Sequence, residues 1–458
     1  MKAAHVTAGV ALSRADRTIA WTLVLGATLP LLDATLLNIA IHGIGRSLAV
    51  SLPLMQWVIT AYALAAAATV PLSAWLCERL GAKTVWLACL WIFLAGACLC
   101  GLSWTVEMLI GSRVLQGMAT GVMLPTMQTI LVTAIGRKKT RSALTLMSIP
   151  SVVVPILGPL IGGAALQLLD WRAIFWLHVP ISLLSIRFAS QLIPDMAAAQ
   201  RTALDATGLL LLSSSLAGCI YGLSAARSTG LPLISGAAGL VALLAFLMHA
   251  SRQRENAIVD LRLFAIRPFR RSSGLLLLSS VAYYGGLLLF SLYFIEDGRL
   301  GLTIAGALLA LQGVGMLLAR QLLPMVARHC SEFRVAQSCI LMAVSGSILL
   351  LPPFAYDLVL MAVGMLLRGA GIGVLTLLSM SSAYTGLSSA QIPHASSLTR
   401  IMTLAGSAIG TALVAVLSAT PGVESEGATP GGFSAHLVLI LTLLLCGAVC
   451  PKPARPTS

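Results

Sequence analysis

Charge is what this sequence has least of. Only 10% of its 458 residues are Asp, Glu, Lys or Arg and 58% are hydrophobic, with a mean hydropathy of +0.95. A chain of this length cannot hide that much apolar surface inside soluble domains of ordinary size, so a soluble globular protein is excluded. Carboxylates are scarcer still, and a single one, Asp33, falls within a long apolar run. No His pair stands beside it, so the nucleophile and base, or the metal cluster, of an intramembrane enzyme is missing. The nine cysteines show no metal-ligand spacing and lie mostly in apolar runs, which argues against a metal site and against disulfides. There is no Gly-x-x-x-x-Gly-Lys-Ser/Thr loop, so ATP is not the driver, and no cofactor is implied. Long polar stretches are missing too: the longest connections are 200–205 with its flanks, 250–273 and 420–432, none long enough for a soluble domain.

What the chain has instead is apolar runs of membrane-spanning length. They fall at 19–41, 56–76, 84–104, 108–134, 144–169, 173–193, 207–225, 231–248, 274–294, 303–326, 336–351, 358–384, 397–418 and 433–450, which predicts an all-α polytopic membrane protein of fourteen spans. The first run is too long for a cleaved signal peptide and lacks a convincing cleavage site, so it is kept as a span. The net charge of +14 does not point to nucleic acid, because the basic residues sit in short segments between spans and not on one amphipathic face. With the N-terminus inside, 23 of the 29 Lys and Arg are cytoplasmic, Arg320 and Arg400 among them, and only Arg46, Arg172, Arg227 and Arg299 are outside. That bias places both termini in the cytoplasm, as an even number of spans requires.

An ionisable group deep in hydrocarbon costs roughly 2.5–3.5 kcal/mol on insertion scales, so Asp33 reads as a proton or ion relay. At 1.5 Å per residue it lies about 13 Å from the outer end of the first span, and Arg113, entering from outside on the fourth, lies about 8–9 Å deep. The two can therefore meet. A guanidinium beside a carboxylate favours the charged form and hydrocarbon favours the neutral acid, so one such site whose surroundings change with conformation is the minimum for coupled exchange. Gln116, three residues from Arg113 on the same helical face, is placed to hold the guanidinium or to touch substrate. The bland alternative is that Asp33 and Arg113 only fix helix packing.

The halves of the sequence echo one another. Arg113-Val114-Leu115-Gln116-Gly117 with Gly121 on the fourth span matches Arg368-Gly369-Ala370-Gly371-Ile372-Gly373 on the twelfth. Gly158-Pro159-Leu160-Ile161-Gly162-Gly163 on the fifth matches Gly406-Ser407-Ala408-Ile409-Gly410 on the thirteenth. Spans seven and eight have no counterpart, which leaves six plus two plus six: an N-terminal bundle over 1–193, two extra helices over 207–248, a C-terminal bundle over 274–450 and a tail over 451–458. Arg368 has no obvious acidic partner in its own half; lining a cavity and bonding backbone carbonyls are both open to it.

With these motifs in place the chain resembles the major facilitator superfamily, in particular its fourteen-helix drug:proton antiporter branch, the EmrB-type exporters. The resemblance rests on Leu32-Asp33-Ala34-Thr35-Leu36-Leu37-Asn38-Ile39-Ala40, on the loop Leu72-Ser73-Ala74-Trp75-Leu76-Cys77-Glu78-Arg79-Leu80-Gly81-Ala82-Lys83, on Arg113 with Gln116 and Gly117, and on Gly158 to Gly163, the motif that marks antiporters in that superfamily. It implies two six-helix bundles plus two extra helices, proton coupling at Asp33 and Arg113, and a substrate cavity near Asn38, Gln116 and Arg368. It also implies a hinge at Gly158, Pro159, Gly162 and Gly163, and a cytoplasmic gate of Glu78, Arg79, Gly81, Lys83 and Arg141, whose charges are expected to latch the cytoplasmic side. The implied activity is proton-coupled export of lipophilic small molecules or drugs across the inner membrane, with a periplasmic adaptor and outer-membrane channel as partners in some Gram-negative members. A dedicated exporter of a metabolite, siderophore or peptide is the alternative within the same fold; a non-transporting receptor is a third reading. The sequence departs from the family at Ala74 for Gly, Glu78 for Asp, Ala82 for a basic residue and His42 for Pro. Glu78 keeps the charge on a longer arm. His42, His178, Met316 and the tryptophans read as interfacial anchors or core residues, and Arg267, Arg270 and Arg271 as membrane-surface anchors.

Overall fold

The computed structural model describes residues 12–136, 139–147, 149–150, 153–154, 170–196, 203–224, 230–253, 257–296, 302–326, 331–351, 357–418 and 430–449. Helix α1 spans Arg14–Ser47 and opens on a capping box: the Ser13 hydroxyl accepts from the Asp16 amide (3.1 Å) and Asp16 accepts from the Ser13 amide (2.9 Å). Two amides left without helical partners are thereby satisfied. Helices α2 (Leu52–Thr69) and α3 (Leu72–Leu80) form one predicted span bent by 57°. The bend falls at Pro71, which has no N–H to continue the ladder. Gly81 then ends α3 with φ of 81°, a left-handed conformation that a side chain resists, and α4 (Ala82–Gly101) starts at once.

Helix α5 (Val106–Ile130) carries Pro125 and ends in a π-helical turn over Leu131–Ile135; α6 (Thr140–Met147), α7 (Ala173–Trp176) and α8 (His178–Leu192) follow. The later helices are α9 (Ala206–Ser224), α10 (Leu231–Gln253), α11 (Arg267–Glu296), α12 (Leu302–Val326), α13 (Glu332–Ile348), α14 (Leu358–Ala383), α15 (Ile392–Leu417) and α16 (Pro430–Val449). Among the described residues nine helices are long and apolar enough to cross a membrane, or ten with α2 and α3 taken together, and shorter apolar helices lie within α9 and α16. With α13, a helix stands at thirteen of the fourteen expected spans. The fifth, 144–169, lies for the most part outside the described residues. This is a multi-pass membrane protein. The expected boundaries moved most at α11, which begins seven residues early, and at α1, which begins five early and ends six late, so Arg267, Arg270 and Arg271 ride on the first turns of a helix and not in a loop.

Apolar side chains face outward. On α10, Leu233, Ile234, Val241, Leu244 and Met248 are each more than half exposed, the surface expected of a helix bathed in lipid. Two helices carrying a buried arginine are seated by glycine. A Cβ on Gly117 or Gly121 of α5 would collide with the Tyr62 or Ala66 carbonyl of α2, and one on Gly369 or Gly373 of α14 with Gln312 or Met316 of α12. Both pairs are spaced by four residues, so each helix lays one glycine stripe against its neighbour's backbone. Helix α9 touches both α2 and α15. It is fixed to α2 by a bond from the Ser213 hydroxyl to the Ala68 carbonyl and by stacking of Tyr221 on Trp57 with centroids 5.8 Å apart.

Candidate functional site

Helices α1 and α5 bring Asp33 and Arg113 together as their depths predict. Arg113 Nη1 donates to Asp33 Oδ1 and Oδ2, both at 2.7 Å, and to Gln116 Oε1 at 2.7 Å, while Nε reaches the Val58 carbonyl at 3.4 Å. The guanidinium lies over the Tyr62 ring, 4.2 Å from its centroid, and Tyr62 is fixed by a 2.9 Å bond between its hydroxyl and that of Thr120. Asp33 and Arg113 are each 1% exposed. Pairing offsets much of the cost of burying the two charges, and removing either partner strands the other. Gln116 Nε2 has no partner.

One neighbour was not expected. His178, at the break between α7 and α8, is fully buried with Nε2 3.9 Å from Asp33 Oδ1, beyond direct hydrogen-bond range, and neither ring nitrogen makes a hydrogen bond. Its ring rests near Phe93, with centroids 5.8 Å apart. A lone histidine starting a short helix gives no sequence signal beyond packing. Its place against Asp33 comes from how α8 crosses α1.

The C-terminal half has a guanidinium without the acid. Arg368 on α14 is 0% exposed, donates from Nη1 to Gln312 Oε1 (3.0 Å) and from Nη2 to the Ala282 carbonyl, and lies 5.0 Å from the Phe290 ring centroid. Two further arginines correct the sequence reading. Arg320 and Arg400, counted above as cytoplasmic loop residues, sit inside α12 and α15. Arg320 donates from Nε to the Gly373 carbonyl (2.8 Å) and from Nη2 to Thr376 Oγ1 (2.9 Å). Arg400 lies within electrostatic reach of Tyr62 and Tyr284, one from each half. They were missed because both lie within about three turns of a basic helix end, where an arginine reads as an anchor; the predicted spans 303–326 and 397–418 in fact contained them.

The gate residues do not latch to one another. Each finds a separate partner, and two of those partners lie in the other half. Glu78 Oε1 pairs with His394 Nε2 on α15 at 2.8 Å, and Arg141 Nη2 pairs with Glu332 Oε1 on α13 at 2.6 Å. Lys83 pairs with Asp195 at 2.8 Å, and Arg79 lies 5.1 Å from the Trp75 ring centroid. Around these, Tyr384 donates to Gln128 Oε1 (3.0 Å), Thr399 to the same oxygen (3.3 Å), and Ser397 to the Val70 carbonyl (3.2 Å). The halves are thus clasped at the end that carries Arg79, Lys83 and Arg141. The side chain of Asn38 and the whole of Gly158, Pro159, Gly162 and Gly163 lie outside the described residues.

No group of three or more His, Cys, Asp or Glu able to hold a metal occurs among the described residues. The family model described as Major Facilitator Superfamily matches residues 23–411. The chain is 26% identical over 406 residues to a protein of Mycobacterium tuberculosis named "Multidrug resistance protein B homolog", covering 86% of this chain and 74% of that one. Among solved structures it is similar to the human organic anion transporter MFSD10, with a TM-score of 0.64 at 17% identity over 95% of this chain and 99% of that one. It is also similar to the proton:xylose symporter XylE, with a TM-score of 0.63 at 11% identity over 95% and 96%. These likenesses to solved structures concern the fold. The chain belongs to the Major Facilitator Superfamily, a family of transporters and not of enzymes.

Proposed function

We propose that this member of the Major Facilitator Superfamily is a proton-coupled antiporter that exports lipophilic small molecules across the inner membrane by alternating access, with fourteen spans and both termini in the cytoplasm. The observation that carries the reading is the sealed pair of Asp33 and Arg113, an ionisable carboxylate held at membrane depth by one guanidinium. The relative from Mycobacterium tuberculosis, named for multidrug resistance, supports export of drug-like molecules. While Asp33 is charged, Arg113 ties α1 to α5. A proton arriving from outside neutralises the carboxylate, removes most of that attraction and frees the two helices to separate. His178, 3.9 Å from the carboxylate, hands the proton on. The work comes from the inward proton gradient, about 2.3 kcal/mol per charge for each 100 mV. With the halves clasped at the basic end, the structure corresponds on this reading to the form closed toward the cytoplasm.

The test is substrate-induced proton flux in proteoliposomes under an imposed pH gradient, run over a chemically diverse panel of lipophilic compounds. Asp33→Asn keeps the volume and removes the titrating group, so coupled flux is expected to vanish while substrate still binds. Full coupled flux in that variant would put the proton elsewhere, at Glu296 or Asp297 for instance, and end the assignment.

A further inference from the structure

We propose that the transported molecules are organic anions and that Arg368 and Gln312 form the site that takes their carboxylate. This rests on the transport reading above and gives it a substrate class.

Arg368 is a fully buried cation with no carboxylate within ion-pair distance among the described residues. A guanidinium does not shed its charge in a protein, so burial cannot be relieved by deprotonation. Its surroundings leave the charge only partly answered. Nη1 and Nη2 are occupied by Gln312 Oε1 and the Ala282 carbonyl, yet Arg368 Nε and Gln312 Nε2 are both buried and both without an acceptor. Two unpaired donors on bonded neighbours, one of them on a cation, call for an anionic acceptor with two oxygens.

The repeat shows which partner Arg368 lacks among the described residues. In the N-terminal half the arginine of α5 meets a carboxylate supplied by α1. In the C-terminal half the arginine of α14 meets α11 at Gly286, where even a Cβ would collide with the guanidinium. Helix α11 therefore gives up a side chain at position 286 and makes room for the cation without neutralising it.

Charge across the helix interiors points the same way. Arg320, Arg368 and Arg400 all lie inside helices of the C-terminal half, while Asp33, the most deeply buried carboxylate among the described residues, is already taken by Arg113. Among the described residues a cationic substrate finds no free acid at that depth, whereas an anion is drawn toward the arginines. The half-buried Tyr283–Tyr284 pair, with centroids 5.0 Å apart, offers aromatic surface to an aryl body.

Three probes that share one apolar body decide the matter: anionic pyrenebutyrate, neutral pyrenebutyramide and cationic pyrenebutylamine, titrated by fluorescence against the purified full-length protein. The wild type should bind the carboxylate at least about tenfold more tightly than the amide, with the amine weakest. Arg368→Gln should bring the carboxylate down to the level of the amide, with a monodisperse elution profile reporting that the variant is folded. Gln312→Leu removes one donor and keeps the charge; it should weaken the carboxylate about tenfold, and it decides alone if Arg368→Gln does not accumulate. Asp33→Asn should lose coupled proton flux but keep the preference for carboxylate, so failure of proton coupling and failure of the substrate class appear in different measurements. Wild-type protein that binds amide or amine as well as carboxylate overturns the proposal, as does a carboxylate preference that survives Arg368→Gln. So does carboxylate binding abolished when chloride replaces sulfate at equal ionic strength with no probe transported, which would mark a site for inorganic anion alone.

Discussion

Cutting one strand of the clasp should open the basic end by an amount that follows from its geometry. Arg141 reaches across the halves to Glu332 at 2.6 Å and to Ser381 Oγ at 3.3 Å, and Glu332 also accepts from Ser382 at 3.2 Å. The side chains are 17% and 38% exposed, so the pair lies between the two familiar limits. Fully exposed pairs contribute about 0.2–1 kcal/mol and hydrogen bonds to charged groups about 1.5–3 kcal/mol. Solvent screening at Glu332 puts this contact near the middle, about 1–2 kcal/mol, or a factor of about 5–30 in the balance between clasped and open forms. Ser396 reports that balance: it is 0% exposed and bonded to Tyr384, which itself donates to Gln128 of the other half. With Ser396→Cys in a background whose own cysteines are replaced by alanine, maleimide reacts only when the halves part at that end. Arg141→Met should raise the labelling rate about 5–30-fold, Glu332→Gln should match it, and the double variant should add little, since both remove one interaction. A rate within twofold of the parent, or two single effects that simply multiply, would refute the claim that this pair holds the end shut.

His178→Phe keeps an aromatic ring beside Phe93, removes the titrating nitrogens and leaves both Asp33 and Arg113 in the chain, so substrate should still bind while coupled proton flux slows by at least about tenfold, as loss of an acid–base group does; undiminished flux with the parent's pH profile would remove His178 from the proton route. Gly121→Leu forces a side chain into the Ala66 carbonyl and should lower both the yield of monodisperse protein and its Tm, whereas Gly111→Leu, where nothing lies within 4 Å, should leave both alone; equal behaviour of the two variants would show that contact between α2 and α5 does not depend on that glycine.

How much of this was legible in the sequence depends on the range of the interaction. Helices were readable because about twenty apolar residues in a row have few other uses, and the meeting of Asp33 with Arg113 was readable because two rare charges of opposite sign lay at compatible depths on spans whose directions the basic loops fixed. Gln116 followed from helical spacing alone, and its oxygen is indeed on Arg113. Arg320 and Arg400 were lost to the rule that bases near helix ends anchor, a rule about averages that does not say which way one side chain turns. The pairing of Glu78 with His394 and of Arg141 with Glu332 had no local signal. Periodicity gives the face of a helix but not the helix across from it, so four scattered polar residues could be assigned to a gate but not to their partners. His178 was hidden for the same reason.

Helix α9 imposes a constraint on motion that neither bundle has by itself. It is fastened to α2 through Ser213 and the stacked Trp57 and Tyr221, and it also touches α15 across the seam between the halves. A rigid rod held on both sides of a seam acts as a fulcrum: rotation about a line close to α9 leaves its contacts nearly unchanged, while rotation about any distant line must shear one set of them. On the alternating-access reading proposed above, α9 thus confines rocking to axes near itself, and the gap between the halves opens widest on the side far from α9.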